Sequence, residues 1–216
     1  MKTYVLHYTP LIERRKHIEN EMKRENIPFE FVFQYDRENL TDAEHALFSG
    51  DISNSEKSLV MKHIITLYNI IRENHPYALV LEDDVILDRD FNEKLAYYIS
   101  LLPPDWDMIF IGNGCNLHIP QNEQQPGVFI YKKSTSYPGA TRCTDSILIS
   151  QKCARAIFNY LQMPGYKITQ AIDWLYNEVL HALNMNVYWT EPTIVSQGSE
   201  SNMFKSSIHH TPSPKT

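Results

Sequence analysis

No stretch of this chain approaches the roughly 18–20 consecutive apolar residues of a membrane-spanning helix. The opening, MKTYVLHYTP, has too short an apolar run for a secretory signal. Both absences lead to the expectation of a cytoplasmic protein, with or without peripheral contact at a membrane surface. Cysteine is scarce. The three present, Cys115, Cys143 and Cys153, show no C-x-x-C spacing and no disulfide framework, so a reduced compartment is the simplest reading. Basic charge is in deficit: 20 Lys and Arg against 26 Asp and Glu leave a net charge of -6, which argues against a nucleic-acid partner. Internal repeats and low-complexity linkers are absent. Only the final SSIHHTPSPKT has a loose composition. One domain over residues 1–208, followed by a loose tail at 209–216, is therefore expected.

What the chain does contain is a regular alternation of strand and helix patterns. Residues 3–8 read as a strand, followed by Thr9-Pro10 as N-cap and first helical position of a helix reaching about Asn26. FEFVFQY, residues 29–35, alternates like a strand. SNSE, residues 53–56, is a capping box opening a helix in which Val60, Ile64, Leu67 and Ile71 recur at helical spacing, and Pro76 stops it. Residues 77–81 form a continuous apolar strand of the kind buried on both faces. Phe91, Leu95, Tyr98, Ile99 and Leu102 share a helical face. WDMIFIG and DSILIS read as strands, residues 151–161 and about 169–183 as helices, and NVYW and TIVSQ as closing strands. The order predicts an α/β domain with a mainly parallel sheet flanked by helices, whose ligands sit outside the carboxyl ends of the strands.

Three consecutive acids, Glu82, Asp83 and Asp84, occupy that position, in YALVLEDDVIL. Adjacent carboxylates repel one another and are costly to bury. A divalent cation, Mn²⁺ or Mg²⁺, removes both problems, since it takes one or two carboxylates together with substrate phosphates. Side chains at i and i+2 of an extended segment share a side. Asp84, with Glu82, is thus expected on a metal, and Asp83 on a ribose hydroxyl or a basic residue. The alternative is a solvated turn or a cap, against which stands the immediate return to Val85-Ile86-Leu87.

EKSLVMKHIITLYNIIRENHPYALVLEDDVIL, residues 56–87, resembles the central signature of glycosyltransferase family 25, in which a Glu opens a helix bearing Ser-His and a strand ends in Glu-Asp-Asp. In order along the chain, YVLHYTPLIERRKHIENEM, WDMIFIG, DSILISQKCARAIF, AIDWL and EPTIVSQGSESNMFKSSI are similar to further family segments, to about Ile208. The pattern departs from the family's at Ser58-Leu59 (usually Gly-Cys), Lys62 (usually Ser), Cys143 (usually Gly) and Ile147 (usually Tyr). The resemblance implies a GT-A type, Rossmann-like fold in a single domain. It further implies a UDP-sugar donor, a divalent metal on the diphosphate, and inverting transfer of a hexose, galactose first, to a glycan or glycolipid such as lipopolysaccharide core. A hydroxylysine-bearing acceptor, as in collagen galactosyltransferases, is the alternative within the family.

Asp173, beside Trp174, is the expected base that deprotonates the acceptor hydroxyl, with Asp145 as its rival. Trp174 is placed against a sugar face, and His63 on the acceptor side, although a satisfied core histidine explains His63 equally well. Arg14 and Arg15 are candidates for the diphosphate. His7 and Tyr8 lie where the nucleotide base sits in such folds, and Gln197, with Ser199, offers further donor contacts. A third metal ligand is expected from His209 or His210. Three other classes compete: a receiver-type signalling domain, disfavoured because two strands and two helices precede the acids; a two-metal phosphohydrolase, disfavoured because no second ligand set is evident; and a non-catalytic scaffold keeping the same fold.

Overall fold

Strands and helices alternate along the computed structural model, which describes residues 1–135 and 139–205. In chain order they are β1 (Lys2–Leu6), α1 (Ile12–Arg24), β2 (Glu30–Val32), the single turn α2 (Asp42–His45), α3 (Asn54–Arg72), β3 (Tyr77–Glu82), β4 (Val85–Leu87), α4 (Phe91–Leu101), β5 (Met108–Phe110), β6 (Ile130–Lys133), β7 (Ser146–Ser150), α5 (Gln151–Leu161), α6 (Ile172–Ala182), β8 (Val187–Thr190) and β9 (Val195–Gln197). The expected tail at 209–216, with His209 and His210, lies outside the described residues. No helix among the described residues is long and apolar enough to cross a membrane.

Seven strands form one sheet in the order β2-β1-β3-β7-β5-β8-β6. β1, β2, β3, β5 and β8 run one way, whereas β7, between β3 and β5, and β6, on the β8 edge, run the other. The α/β, mainly parallel expectation is met. Alternate side chains of each strand feed opposite faces. Ala78 and Val80 join a core with Val60 and Leu67 of α3, Ile157 of α5 and Leu175 of α6. Leu79 and Leu81 join one with Ile18 and Met22 of α1 and Phe91 and Leu95 of α4. Continuous apolar runs at β3 and β7 follow from this burial on both faces.

Local chemistry sets the boundaries. Ser53 caps α3 by accepting from the Glu56 amide while Glu56 Oε2 takes the Ser53 amide at 2.8 Å, the reciprocal box read from SNSE. Thr9-Pro10 does not cap α1. Leu11 N–H closes a turn on the Tyr8 carbonyl at 2.9 Å, and the helix starts at Ile12 with Leu11 as its cap residue. The aromatic run 29–35 gives only a three-residue strand, because beyond Val32 the chain turns away through Tyr35 at φ 67. The helix placed at about 169–183 starts only at Ile172, because Ile168 is held extended against Phe48. TIVSQ does not join the main sheet. Val195–Gln197 pairs antiparallel with Val85–Leu87 in a separate two-stranded sheet. This pairing explains why apolar residues resume directly after the acids: Val85 and Leu87 are buried.

Lys62, a position where the family resemblance fails, is buried and ties α3 to the segment after β2. Its Nζ donates to the Asp36 carboxylate at 2.8 Å and to the Gln34 carbonyl at 2.7 Å. Burial pulls the ammonium's pKa down, and the bond to Asp36 opposes the shift. Ser58 pins the same segment by donating to the Tyr35 carbonyl at 2.6 Å. Lys62→Ala should therefore leave Asp36 buried without its cation and cost about 3–5 kcal/mol. The cost would be read as a lower urea midpoint at unchanged m-value. The double variant Lys62→Ala/Asp36→Ala should lose less than the two single variants summed.

Candidate active site

The parallel register pairs Leu6 with Glu82, so the residues just beyond β1 and β3 emerge side by side. His7 Nδ1 lies 2.7 Å from Asp83 Oδ2, which is a hydrogen bond donated to the carboxylate. Arg14, in α1, reaches the same group, with Nη1 3.0 Å from Asp83 Oδ1 and 3.3 Å from Asp84 Oδ2. Its Nη2 donates to the Lys205 carbonyl at 2.7 Å. Asp83 is thus held by two basic side chains. Asp84 is held by the loop after β9: its carbonyl accepts from Gly198 N–H at 2.8 Å, and Oδ2 accepts from Ser199 N–H at 3.3 Å. The other carboxylate oxygen, Asp84 Oδ1, is buried with no hydrogen-bond partner among the described residues.

Because β7 runs against β3, its start lies at the end of β3, and Asp145 meets the acids there. The Glu82 amide donates to the Asp145 carbonyl at 2.8 Å, and Thr144 Oγ1 donates to Glu82 Oε1 at 3.0 Å. Burial, reinforced by the charges of Asp84 and Asp145, holds the Glu82 carboxyl well above its usual range. Burial likewise lifts Asp145 to about 7; a hydrogen bond from Ser146 opposes the shift and the charge of Asp84 adds to it. The enclosure is tight. A Cβ on Gly112 would collide with the Asp145 carboxylate and the Ser146 hydroxyl, and one on Gly114 with the Arg142 carbonyl and Asp145.

Two clefts meet at Leu59 and Glu82. The smaller, of about 470 Å³, is lined by His7, Tyr8, Arg14, Arg37 and Lys62 together with Glu82 and Asp83. The larger, of about 1070 Å³, is lined by Asp173, Trp174, Gln197, Ser199 and Glu200 and by Cys115 and Cys143. The candidate residues are therefore divided. His7, Tyr8, Arg14 and Asp83 gather in one cleft, and Asp173, Trp174 and Gln197 in the other, with Glu82 between them. Asp84 and Asp145 are buried behind the junction.

Two further candidates lie away from the junction altogether. Arg15 pairs with Glu19 at 3.0 Å and lies over the rings of Phe31 and Phe33, because its position on α1 faces β2 rather than the acids. His63 is in the core, 3.2 Å from the Tyr176 hydroxyl, and burial drives its pKa down to about 3. Its place as an acceptor contact gives way to the core reading. Sequence reasoning passed over the polar stripe of Ser55, Ser58 and Lys62 on α3, although its i, i+3, i+7 spacing was a helical signal that all three share one face. Arg37, whose guanidinium lies 4.5 Å from the Tyr8 ring centroid and donates to Ser55 Oγ at 3.0 Å, carried no such signal.

As for a metal, no group of three or more His, Cys, Asp and Glu among the described residues is arranged to hold an ion. The donors at the junction are nonetheless hard oxygens, and Asp84 Oδ1 lacks a partner. That suits a cation that takes one or two carboxylates and completes its shell with phosphate oxygens and water.

The raised Asp145 carboxyl has a consequence for stability. An unfolded aspartate titrates near 3.9, so the fold prefers the protonated form. The resulting stabilisation is complete below about pH 4 and is lost as the pH rises through about 7. Asp145→Asn should consequently unfold at higher urea than the parent at pH 8, with the advantage shrinking toward zero near pH 4. Parallel denaturation series at the two pH values would check it, and an equal effect at both would contradict it.

Comparison with known proteins identifies the family. The profile of glycosyltransferase family 25 (LPS biosynthesis protein) matches residues 1–175. The lipooligosaccharide biosynthesis protein lic2B of Haemophilus influenzae is 32% identical over 98 residues, 43% of this chain and 37% of that protein. The lacto-N-neotetraose biosynthesis glycosyltransferase LgtB of Neisseria meningitidis serogroup B is 32% identical over 102 residues, 44% of this chain and 37% of that protein. The lipooligosaccharide biosynthesis protein lex-1 of Haemophilus influenzae is 25% identical over 171 residues, 72% of this chain and 53% of that protein. The chain thus spans between about a third and half of the length of these relatives. Among solved structures, mouse xyloside xylosyltransferase 1 superposes with a TM-score of 0.48 at 10% identity, over 86% of this chain and 83% of that one, a likeness too loose to carry an argument. With the profile covering most of its length, the chain belongs to glycosyltransferase family 25.

Proposed function

We propose that this chain is an inverting glycosyltransferase of GT-A type that moves a hexose, galactose first, from a UDP-linked donor to a hydroxyl of a glycan such as lipopolysaccharide core, assisted by Mn²⁺ or Mg²⁺. The observation that carries the reading is the meeting of two clefts at Glu82, directly above the buried Asp84 with its unpartnered oxygen. One cleft offers aromatic and cationic groups suited to a nucleotide diphosphate: Tyr8, Arg37 and the guanidinium of Arg14. The other offers a carboxylate, Asp173, and an indole, Trp174, 43% exposed, of the kind that packs on sugar rings. Family membership and relatives named for lipooligosaccharide and lacto-N-neotetraose biosynthesis support the glycan acceptor. A lipid-linked acceptor would bring the protein to the surface of a membrane from the cytoplasm.

Roles follow from position. Asp83, hydrogen-bonded by His7 and ion-paired with Arg14, fixes the floor of the nucleotide cleft and offers what remains of its acceptor capacity to a ribose hydroxyl. Asp84 and Glu82 would hold the cation. Bound there, the cation would offset the charge that grows on the departing diphosphate. Asp173, which lines the larger cleft, takes the proton from the acceptor hydroxyl. Asp145 lines neither cleft and is kept protonated to about pH 7, so it suits positioning better than base catalysis.

Thermal unfolding with a panel of nucleotide sugars, each with and without Mn²⁺, tests the donor reading. A ligand that binds only the folded chain raises Tm by mass action. A rise confined to UDP-galactose with Mn²⁺ is expected, and no rise with any pair would overturn the reading in favour of a non-catalytic scaffold. Asp84→Asn should abolish metal-dependent turnover with little loss of fold. Asp173→Asn should keep the donor-induced Tm rise while transfer falls about 10²–10⁴-fold. Near-parental turnover in either variant would sink its assigned role.

A further inference from the structure

On the rim of the larger cleft, the thiols of Cys115 and Cys143 touch, with Sγ to Sγ at 2.8 Å, although 28 residues separate them in sequence. The approach is fixed by backbone packing rather than by mobile side chains. Gly114 passes so near the neighbouring loop that a Cβ on it would meet Cys143 Cβ at 2.7 Å and collide with the Arg142 carbonyl. Both cysteines hold the left-handed conformation, at φ 55 and 58, which aims their side chains across the gap. The Cys115 amide donates to the Glu200 carboxylate, so the same turn anchors a further wall of the cleft. Cys115 is exposed to solvent, whereas Cys153, on the inner face of α5, is buried in the core.

We propose that Cys115 and Cys143 form a reversible disulfide when the protein meets a two-electron thiol oxidant such as hydrogen peroxide, and that the link closes the rim of the larger cleft. The exposed Cys115 thiolate attacks one peroxide oxygen. The O–O bond breaks, the departing hydroxide takes up the proton that the Cys115 thiol released and leaves as water, and a sulfenic acid remains on Cys115. The Cys143 sulfur then attacks the Cys115 sulfur, the S–O bond breaks, and the hydroxide departs with the Cys143 proton as a second water. Two thiols are oxidised by two electrons in all, and one peroxide is reduced to two waters. A dithiol reverses the link by exchange. The bond joins the turn at Gly114–Asn116, which walls Asp145 and holds Glu200, to the loop that leads into β7. A cleft that must open and close around a sugar acceptor would lose that freedom. This functional consequence, unlike the link itself, rests on the glycosyltransferase reading.

The full chain, reduced and then exposed to a few equivalents of peroxide, decides both parts. Intact mass should fall by about 2 Da, peptide mapping should join the Cys115 and Cys143 peptides, and Cys153 should be alkylated once the oxidised chain is unfolded. Tm should rise by roughly 5 °C, since the link closes a loop in the unfolded chain. Cys115→Ser should lose both changes. Oxygen addition at Cys115 of about 32 Da, or intermolecular dimers without the 2 Da loss, would overturn the link. Transfer to acceptor should slow several-fold in the linked form and recover with dithiothreitol. An unchanged rate would overturn the closure of the cleft while leaving the link in place. If no sugar is transferred in either state, the proposed function fails, and the masses still decide the link.

Discussion

The negative charge of Asp83 is the point from which the cleft is built. A carboxylate 5% exposed would be expensive to keep ionised without partners. Here one partner follows β1 and the other comes from α1, so neutralising a single group fixes three segments relative to one another. Arg14 extends the constraint further. Its guanidinium also touches Asp84, binds the Lys205 carbonyl and lies 5.5 Å from the Phe204 ring, so the segment after β9 is drawn onto the same charge. The walls of the smaller cleft are therefore set by one ion-paired cluster and not by the core beneath them.

The neighbouring acids meet the opposite treatment, and the sheet topology is the reason. Within a parallel sheet, the carboxyl ends of the strands share an edge. An antiparallel strand inserted among them contributes its amino end to that edge. β7 does so between β3 and β5, and it brings Asp145 against Glu82 and Asp84. Among the described residues, no basic side chain forms an ion pair with Glu82 or Asp145 as Arg14 and His7 do with Asp83. The result is a pair of carboxyls pushed toward their protonated forms and one buried oxygen with no partner.

Much of this could be read from residue patterns, and the failures have identifiable physical causes. The Ser53–Glu56 box and the apolar run of β3 are local signals, and each produced the element it announced. Thr9-Pro10 carried the right residue types for a cap, yet the Thr9 amide went to Asp36, a partner set by tertiary contact. The pairing of β4 with β9 joins segments more than a hundred residues apart, and the direction of β7 depends on its neighbours; neither leaves a periodic trace. The grouping of the acids with Asp173 and Gln197 around adjoining clefts came from the family resemblance and from the strand-end rule. The Cys115–Cys143 contact could come from neither, because scarce cysteines without a motif look inert until the fold brings two of them together. Arg15 and His63 failed for a shared reason. Each sits on a helix carrying a functional side chain, but a turn of the helix points it at aromatic or core neighbours instead.

A fold free to maximise stability would not keep Glu82, Asp84 and Asp145 together. Glycine at 112 and 114 leaves just enough room for the Asp145 carboxyl, and backbone donors from Gly198 and Ser199 hold Asp84 in place, so the crowding is actively supported. Replacing any one carboxylate by its amide would lower the repulsion at no cost in volume. Sites at which a chain maintains a local conflict with such support are where function is expected to outweigh stability. Asp84 Oδ1, the oxygen without a hydrogen-bond partner among the described residues, is placed as well as present. It lies behind the junction of the two clefts, where a cation, if Asp84 and Glu82 hold one as proposed, would relieve the repulsion. On the proposed function, energy withheld from folding would be recovered on binding, because a ligand that offset the charge would relieve the conflict among the acids.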